Sequence, residues 1–127
     1  MNLISREELR GKLERGDEFK LVMTLSGFAY RTKRIPSSLH FETAAEAVEA
    51  LDREDEIVVY CADVHCVASI YAYRLLEREG FTRLRRYPGG VADWEEAGYP
   101  LEGHTRDRAR SQVPSRARLD RPWHVCA

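Results

Sequence analysis

The middle of the chain, residues 57–80, constrains the fold more than any other part of the sequence. Ile57–Tyr60 is a short run of β-branched and aromatic residues, a pattern typical of a buried strand. Residues 67–79 carry apolar side chains at helical spacing and stop at Gly80, which predicts a helix. The chain therefore runs from a strand through a loop into a helix, and Cys61 opens that loop.

The remaining sequence continues this alternation of strands and helices. Ser5 has Glu8 three residues further on, which is the spacing of a capping box, so a first helix is expected from there to Gly16. Because strands that alternate with helices join through right-handed crossovers, the sequence predicts an α/β fold with a parallel sheet covered on both faces. The other predicted elements are strands at 19–25, within 35–41 and at 83–87, an irregular or helical segment at 26–33, and helices after Thr43 and at 91–97.

Cys61 falls where sites occur in parallel sheets, at the carboxyl end of a strand. A free thiol has a pKa of about 8.5, so only a few per cent of it is thiolate at neutral pH. Loop amides and the positive end of the following helix stabilise a thiolate or another anion. Cys61 is therefore a candidate nucleophile, and the alternative is a cysteine that only packs as a small hydrophobic residue.

Composition limits the remaining choices. The chain has 127 residues, enough for one domain, with 43% hydrophobic and 32% charged side chains. No apolar run approaches the roughly 20 residues that span a bilayer, and the N-terminal residues lack the apolar core of a signal peptide. Three cysteines do not form a paired framework, which favours reduced thiols. We therefore expect a cytoplasmic protein without a membrane partner.

Charge divides the chain into two parts. Residues 104–127 hold six Arg and two Asp and carry a net charge of +4, whereas residues 1–103 hold 14 basic and 19 acidic side chains and carry −5. The basic segment has no apolar periodicity, so we expect an irregular C-terminal tail after a domain at 1–103. Nucleic acid is a poor candidate partner for this tail because no aromatic residues are interleaved on a folded face.

Motifs in the second half of the chain resemble those of single-domain rhodanese-like proteins. The first half of the chain matches the family's pattern at fewer positions. Together the resemblance covers residues 2–103. The residues that carry it are Ile4-Ser5, Leu21-Val22, Ile35–Leu39, Val59–Cys61, Ala68-Ser69, Gly80-Phe81, Tyr87–Gly90, Trp94 and Ala97–Glu102.

The resemblance implies a five-stranded parallel sheet flanked by helices, with Cys61 as the nucleophile of a sulfurtransferase. In that chemistry the thiolate takes a sulfane sulfur as a persulfide and passes it to a thiophilic acceptor. The implied partners are small-molecule sulfur donors and acceptors, and a protein thiol is a further candidate. No metal or organic cofactor is required. The expected anion cradle consists of loop amides, which act as oxyanion-type donors do. They belong to Ala62, Asp63, Val64, His65 and Val67.

Several positions depart from the family's usual pattern. Ala68 stands where many members have an arginine that closes the loop, and the loop is about two residues longer. Asp63 adds a negative charge that opposes a thiosulfate dianion. Met23 and Leu25 stand where the family often has charged residues. A persulfide donor is therefore at least as good a candidate as thiosulfate.

Cys66 is the second candidate thiol, and the chain is similar to a rhodanese-like subgroup with a second cysteine in this loop. Five residues after Cys61, it is placed to attack a Cys61 persulfide, release sulfide and form a disulfide, as a resolving cysteine does. It is also a candidate for the more reactive thiol, because the helix dipole acts most strongly within the first turn. Packing beneath the loop is the third alternative. Cys126 has no motif around it.

Three other functions are alternatives to sulfur transfer. His65-Cys66 resembles the start of a cysteine-phosphatase signature, but position 72 is Ala rather than the arginine that clamps a phosphoryl group. Cys61, His65 and Cys66 are too crowded on one loop for a good zinc site. The remaining alternative is a catalytically silent rhodanese-fold module that binds a protein partner.

Overall fold

The computed structural model describes residues 1–103, and the predictions for the basic tail and Cys126 lie outside the described residues. The described part contains five helices and four strands. In chain order these are α1 (Arg6–Arg15), β1 (Lys20–Met23), α2 (Gly27–Thr32), β2 (Ser38–His40), α3 (Ala44–Ala50), β3 (Ile57–Tyr60), α4 (Ala68–Arg78), β4 (Leu84–Tyr87) and α5 (Gly90–Glu96).

The four strands form one parallel sheet in the order β2-β1-β3-β4. Successive residues of a strand face opposite sides, so the sheet separates two hydrophobic clusters. Leu21, Val58 and Tyr60 belong to the cluster that includes Leu9 of α1 and Trp94 of α5. On the other face, Val22, Ile57, Val59 and Leu84 pack with Ala47 of α3 and with Ala72 and Leu76 of α4. The predicted α/β sheet with helices on both faces is confirmed.

The fifth strand that the resemblance implied does not form among residues 1–103. In its place Leu3 makes a single parallel bridge with Arg86, at the outer edge of β4. The Arg86 amide donates to the Asn2 carbonyl at 2.8 Å, and the Ile4 amide donates to the Arg86 carbonyl at 3.0 Å. The ladder ends at Ile4 because the next residue, Ser5, caps α1.

The helix starts predicted from capping residues are confirmed. The Ser5 hydroxyl accepts a hydrogen bond from the Glu8 amide at 3.1 Å, and the Thr43 hydroxyl accepts one from the Glu46 amide at 3.2 Å. Gly16 ends α1 at φ 73°, a left-handed conformation that favours glycine. Among residues 1–103, no helix is both long and apolar enough to cross a bilayer.

Candidate active site

Cys61 lies immediately after β3, at the carboxyl end of the sheet, and is 2% exposed. Its thiol lies within 3.5 Å of two acceptors, the Cys66 carbonyl oxygen and the Ser69 hydroxyl oxygen. The sulfur is therefore enclosed between the loop at residues 62–67 and the first turn of α4. This placement agrees with the position predicted for the nucleophile.

The loop at residues 62–67, here called the active-site loop, is closed by Asp63. One carboxylate oxygen of Asp63 accepts the His65 amide at 2.9 Å, and its carbonyl accepts the Cys66 amide at 3.1 Å. These bonds engage two of the loop amides. The amides of Ala62, Asp63, Val64 and Val67 have no hydrogen-bond acceptor within the described chain. Of the five amides predicted for the anion cradle, that of His65 is thus occupied in the observed conformation and the other four are not.

The N-terminus of α5 fastens the active-site loop to the sheet. The Val91 amide donates to the Cys61 carbonyl at 3.0 Å, and the Ala92 amide donates to the Ala62 carbonyl at 2.9 Å. Gly90 has φ 65°, and a β-carbon at this position would lie 2.3 Å from the Cys61 carbonyl oxygen. Only glycine allows this close approach, so Gly90 is required for the position of the loop.

Two polar residues form the floor beneath the Cys61 sulfur. Ser69, the second residue of α4, is fully buried, and its hydroxyl oxygen accepts a hydrogen bond from the Arg86 Nε at 2.8 Å. Arg86 of β4 is 9% exposed, and it forms no ion pair with a carboxylate of residues 1–103. Arg86 was not among the site residues predicted from the sequence. The signal was the alternation in β4, which places Arg86 on the same face as buried Leu84.

A second polar group holds the end of β3. The Tyr60 hydroxyl accepts a hydrogen bond from the Ile35 amide at 3.1 Å and lies 2.6 Å from the Ser38 hydroxyl oxygen. Burial raises the pKa of Tyr60 to about 12. The Thr24 hydroxyl donates to the Tyr60 carbonyl at 3.0 Å. These bonds fix the residue directly before Cys61.

An apolar groove of about 450 Å³ borders the first residues of the active-site loop. Phe28 is 43% exposed at this groove. In the wall, the ammonium of Lys33, the residue that follows α2, lies 2.8 Å from the Glu95 carboxylate of α5. The groove is lined by residues that include Met23, Leu25, Phe28, Ala62, Asp63 and Val91.

The other predicted site residues are divided between the interior and the surface. Cys66 is 6% exposed and belongs to the same hydrophobic cluster as Cys61, whereas Val64, His65 and Val67 are exposed. Ala72, which stands at the phosphatase arginine position, is buried in α4. Within residues 1–103, no group of three or more His, Cys, Asp or Glu side chains is arranged to hold a metal ion.

Comparison with known proteins identifies the fold. The family model of the rhodanese-like domain matches residues 5–97. The thiosulfate sulfurtransferase GlpE of Actinobacillus pleuropneumoniae is 29% identical over 75 residues, which are 59% of this chain and 68% of GlpE.

Solved structures show the same fold. The rhodanese-like domain of Alr3790 from Anabaena superposes with a TM-score of 0.70 at 24% identity, over 91% of this chain and 86% of that domain. BH2092 from Bacillus halodurans gives a TM-score of 0.75 at 20% identity, over 82% of this chain and 78% of that protein. A thiosulfate sulfurtransferase from Pseudomonas aeruginosa gives 0.70 at 24% identity, over 81% of this chain and 20% of that enzyme.

Proposed function

Because this chain belongs to the rhodanese-like domain family, we propose that it is a sulfurtransferase that carries a sulfane sulfur as a persulfide on Cys61. The observation that carries the proposal is the position of the Cys61 sulfur. It lies after a central strand, within 3.5 Å of the Ser69 hydroxyl oxygen and beneath a loop whose amides include four without an acceptor among residues 1–103. Relatives named as thiosulfate sulfurtransferases support the same reaction class.

The reaction consists of two displacements at sulfur. In the first, the Cys61 thiolate attacks the outer sulfur of the donor, and the donor's sulfur–sulfur bond breaks. Sulfite leaves with the electron pair if the donor is thiosulfate, and a thiolate leaves if the donor is a persulfide. In the second, an acceptor thiolate attacks the outer sulfur of the Cys61 persulfide, and the Cys61 thiolate leaves. The acceptor then carries the persulfide, and the protein returns to its starting state.

The amides of Ala62, Asp63, Val64 and Val67 are proposed to bind the negative charge of the donor and of the outer persulfide sulfur. Amide donors fixed in place stabilise a developing charge without reorganising. The residues of the active-site loop include no lysine or arginine, and the Asp63 carboxylate is adjacent. We therefore propose a singly charged persulfide as the preferred donor, with thiosulfate as the second choice. The apolar groove beside Ala62 gives room for the acceptor.

Cys66 is disulfide-bonded in this structure, and we propose it as the second thiol of the site once that bond is reduced. Its carbonyl oxygen lies 3.5 Å from the Cys61 sulfur, so the two residues are adjacent across the loop. Attack of its thiolate on the inner sulfur of the Cys61 persulfide would form a disulfide and release sulfide. This role remains a prediction.

The near-complete burial of Cys61 favours one second candidate, a catalytically silent module that binds a protein partner. Cys61 is 2% exposed, so a donor has little access to its sulfur in the observed conformation. In this case the apolar groove, rather than Cys61, would be the functional surface.

Intact-mass measurement of sulfur uptake tests the proposal. The reduced, desalted protein is exposed briefly to thiosulfate or to a small-molecule persulfide, with Cys61→Ser, Cys66→Ser and Cys126→Ser alongside. We expect a gain of one sulfur atom that disappears in Cys61→Ser and persists in Cys126→Ser. Loss of the gain only in Cys66→Ser would move the carrier to Cys66. No uptake from either donor would contradict the proposal and favour the silent module.

A further inference from the structure

Arg86 is a buried cation for which residues 1–103 provide no carboxylate partner. We infer that Arg86 is a positioning residue for sulfur transfer, acting through the Ser69 hydroxyl to hold the Cys61 sulfur and to compensate its negative charge. The inference rests on the proposed function, because it gives Arg86 a part in the reaction of Cys61.

The three groups form a continuous chain of hydrogen bonds. Arg86 Nε lies 2.8 Å from the Ser69 hydroxyl oxygen, and this oxygen lies 3.5 Å from the Cys61 sulfur. Ser69 is fully buried and Arg86 is 9% exposed, so water screens the chain only weakly. The first bond joins β4 to α4, and the second joins α4 to the residue that follows β3. Helix α4 packs against both strands. The link therefore belongs to the rigid floor of the site.

The direction of these bonds indicates a site prepared for a thiolate. With Cys61 protonated, both the thiol and the Arg86 guanidinium donate to the Ser69 oxygen, and the Ser69 hydrogen has no acceptor among residues 1–103 other than the sulfur. When the thiol releases its proton to water, the Ser69 hydroxyl can turn and donate to the sulfur while it still accepts from Arg86. The Arg86 Nε hydrogen and the Ser69 hydroxyl hydrogen then each have an acceptor.

The charge of Arg86 also favours a thiolate at Cys61. A guanidinium stays protonated in proteins, so burying Arg86 costs free energy unless an anion compensates it. The nearest anionic group along its hydrogen bonds is the Cys61 thiolate. Position 68 is Ala and the active-site loop has no cation, so the charge comes from the strand beneath the sulfur. The same charge assists both displacements, because Cys61 is the nucleophile in the first and the leaving group in the second.

Replacing the guanidinium tests the inference, and the strand supplies a matched control. Arg86→Met removes the charge and keeps the length of the side chain, whereas Arg86→Lys keeps the charge. Arg85→Met removes a neighbouring cation whose guanidinium pairs with Glu8 at 2.9 Å, away from the site. The readouts are the rate of sulfur loading and the ratio of iodoacetamide alkylation rates at neutral and alkaline pH. This ratio reports thiolate content and cancels changes in access. Asp63 and His65, two other titratable groups of the loop, are unchanged in every variant.

We expect Arg86→Met to lower both the loading rate and the alkylation ratio about tenfold, the effect of one opposite charge nearby. Arg86→Lys should recover most of the loss, and Arg85→Met should stay within about twofold of wild type. Ser69→Ala should match Arg86→Met, and the double variant should be no worse than either, because both break one chain.

Two results would overturn the inference. One is an Arg86→Met protein that matches Arg85→Met in both readouts, and the other is an Arg86→Lys protein no better than Arg86→Met. Circular dichroism confirms that each variant is folded, and Ser69→Ala provides the same test if Arg86→Met fails to fold. If wild type loads no sulfur, the proposed function fails, whereas the alkylation ratio still decides whether Arg86 acts on Cys61.

Discussion

Each end of the sheet buries a cation, and the two cations differ in whether a carboxylate lies beside them. Lys12 of α1, at the amino end, is 8% exposed, and its ammonium lies 2.8 Å from a Glu56 carboxylate oxygen and 3.8 Å from one of Asp17. Arg86, near the carboxyl end, is 9% exposed and has no carboxylate partner within residues 1–103. The two residues are equally buried, so burial alone does not separate their roles.

The difference shows how a structural cation is distinguished from one that is kept for chemistry. A buried cation that is paired with a carboxylate is already compensated, and removing one partner leaves the other charge uncompensated. A buried cation without a counter-ion is incomplete in the resting protein, and it becomes compensated when an anion forms beside it. At the carboxyl end of this sheet that anion is the sulfur of Cys61.

The largest expected contrast is between the stabilities of Lys12→Met and Arg86→Met. We expect Lys12→Met to lower the free energy of unfolding by about 2 kcal/mol, because Glu56 and Asp17 keep partly buried charges without their shared cation. Arg86→Met should change it by less than about 1 kcal/mol, since no carboxylate is orphaned and an apolar side chain suits the site. Urea denaturation of both variants at neutral pH measures the two values. Equal losses would show that Arg86 is as structural as Lys12.

A smaller contrast is expected between two glycines with positive φ, one near each end of the sheet. A β-carbon on Gly16, at φ 73°, would have nothing within 4 Å, whereas a β-carbon on Gly90 would lie 2.3 Å from the Cys61 carbonyl oxygen. Gly16→Ala should therefore cost about 1 kcal/mol through backbone strain alone.

Gly90→Ala carries the same strain and must also displace the active-site loop. We expect it to cost about 2 kcal/mol and to slow sulfur loading, while Gly16→Ala loads at the wild-type rate. Denaturation and intact-mass kinetics on both variants check this. A Gly90→Ala protein that loads sulfur normally would show that the position of the loop is not critical.

The smallest expected effect concerns Arg85, the neighbour of Arg86 on the exposed side of β4. A hydrogen bond from Arg85 lowers the pKa of the Glu8 carboxyl group. A lowered pKa stabilises the fold above the pKa of the unfolded carboxyl group, and this contribution is lost as pH falls through the pKa of the folded state. Arg85→Met should thus cost about 0.5 kcal/mol at neutral pH and nothing in acid. Denaturation at both pH values measures this, and a pH-independent loss would assign the effect to packing.

Local patterns in the sequence were sufficient to predict most of the fold. Ser5, Thr43 and Gly16 determine helix ends through their own side chains or backbone, so their roles do not depend on distant residues. Ile57–Tyr60 could be assigned as a buried strand because all four of its side chains are apolar or aromatic. The position of Cys61 followed from the same assignment.

The parts that could not be predicted depend on contacts between distant residues. The five-stranded sheet was implied by the resemblance, whereas the sheet of residues 1–103 has four strands, and Leu3 adds only a single bridge to Arg86. Arg86 was not predicted as a site residue, because arginine is seldom buried and its link to Ser69 joins positions 17 residues apart. The Asp63 carboxylate engages the His65 amide, a detail of loop conformation that residue types alone do not determine.

The backbone of Arg86 has a consequence for how this protein behaves at high concentration. Edge strands with open amides and carbonyls invite pairing between molecules, which leads to aggregation. On one edge of this sheet, β2 is only three residues long. On the other edge, the Arg86 amide and carbonyl are already bonded to Asn2 and Ile4. The backbone of Arg86 thus closes this edge of the sheet, while its side chain bonds Ser69 beneath the Cys61 sulfur. Removal of the first four residues would therefore expose β4 as an aggregation-prone edge strand next to the site.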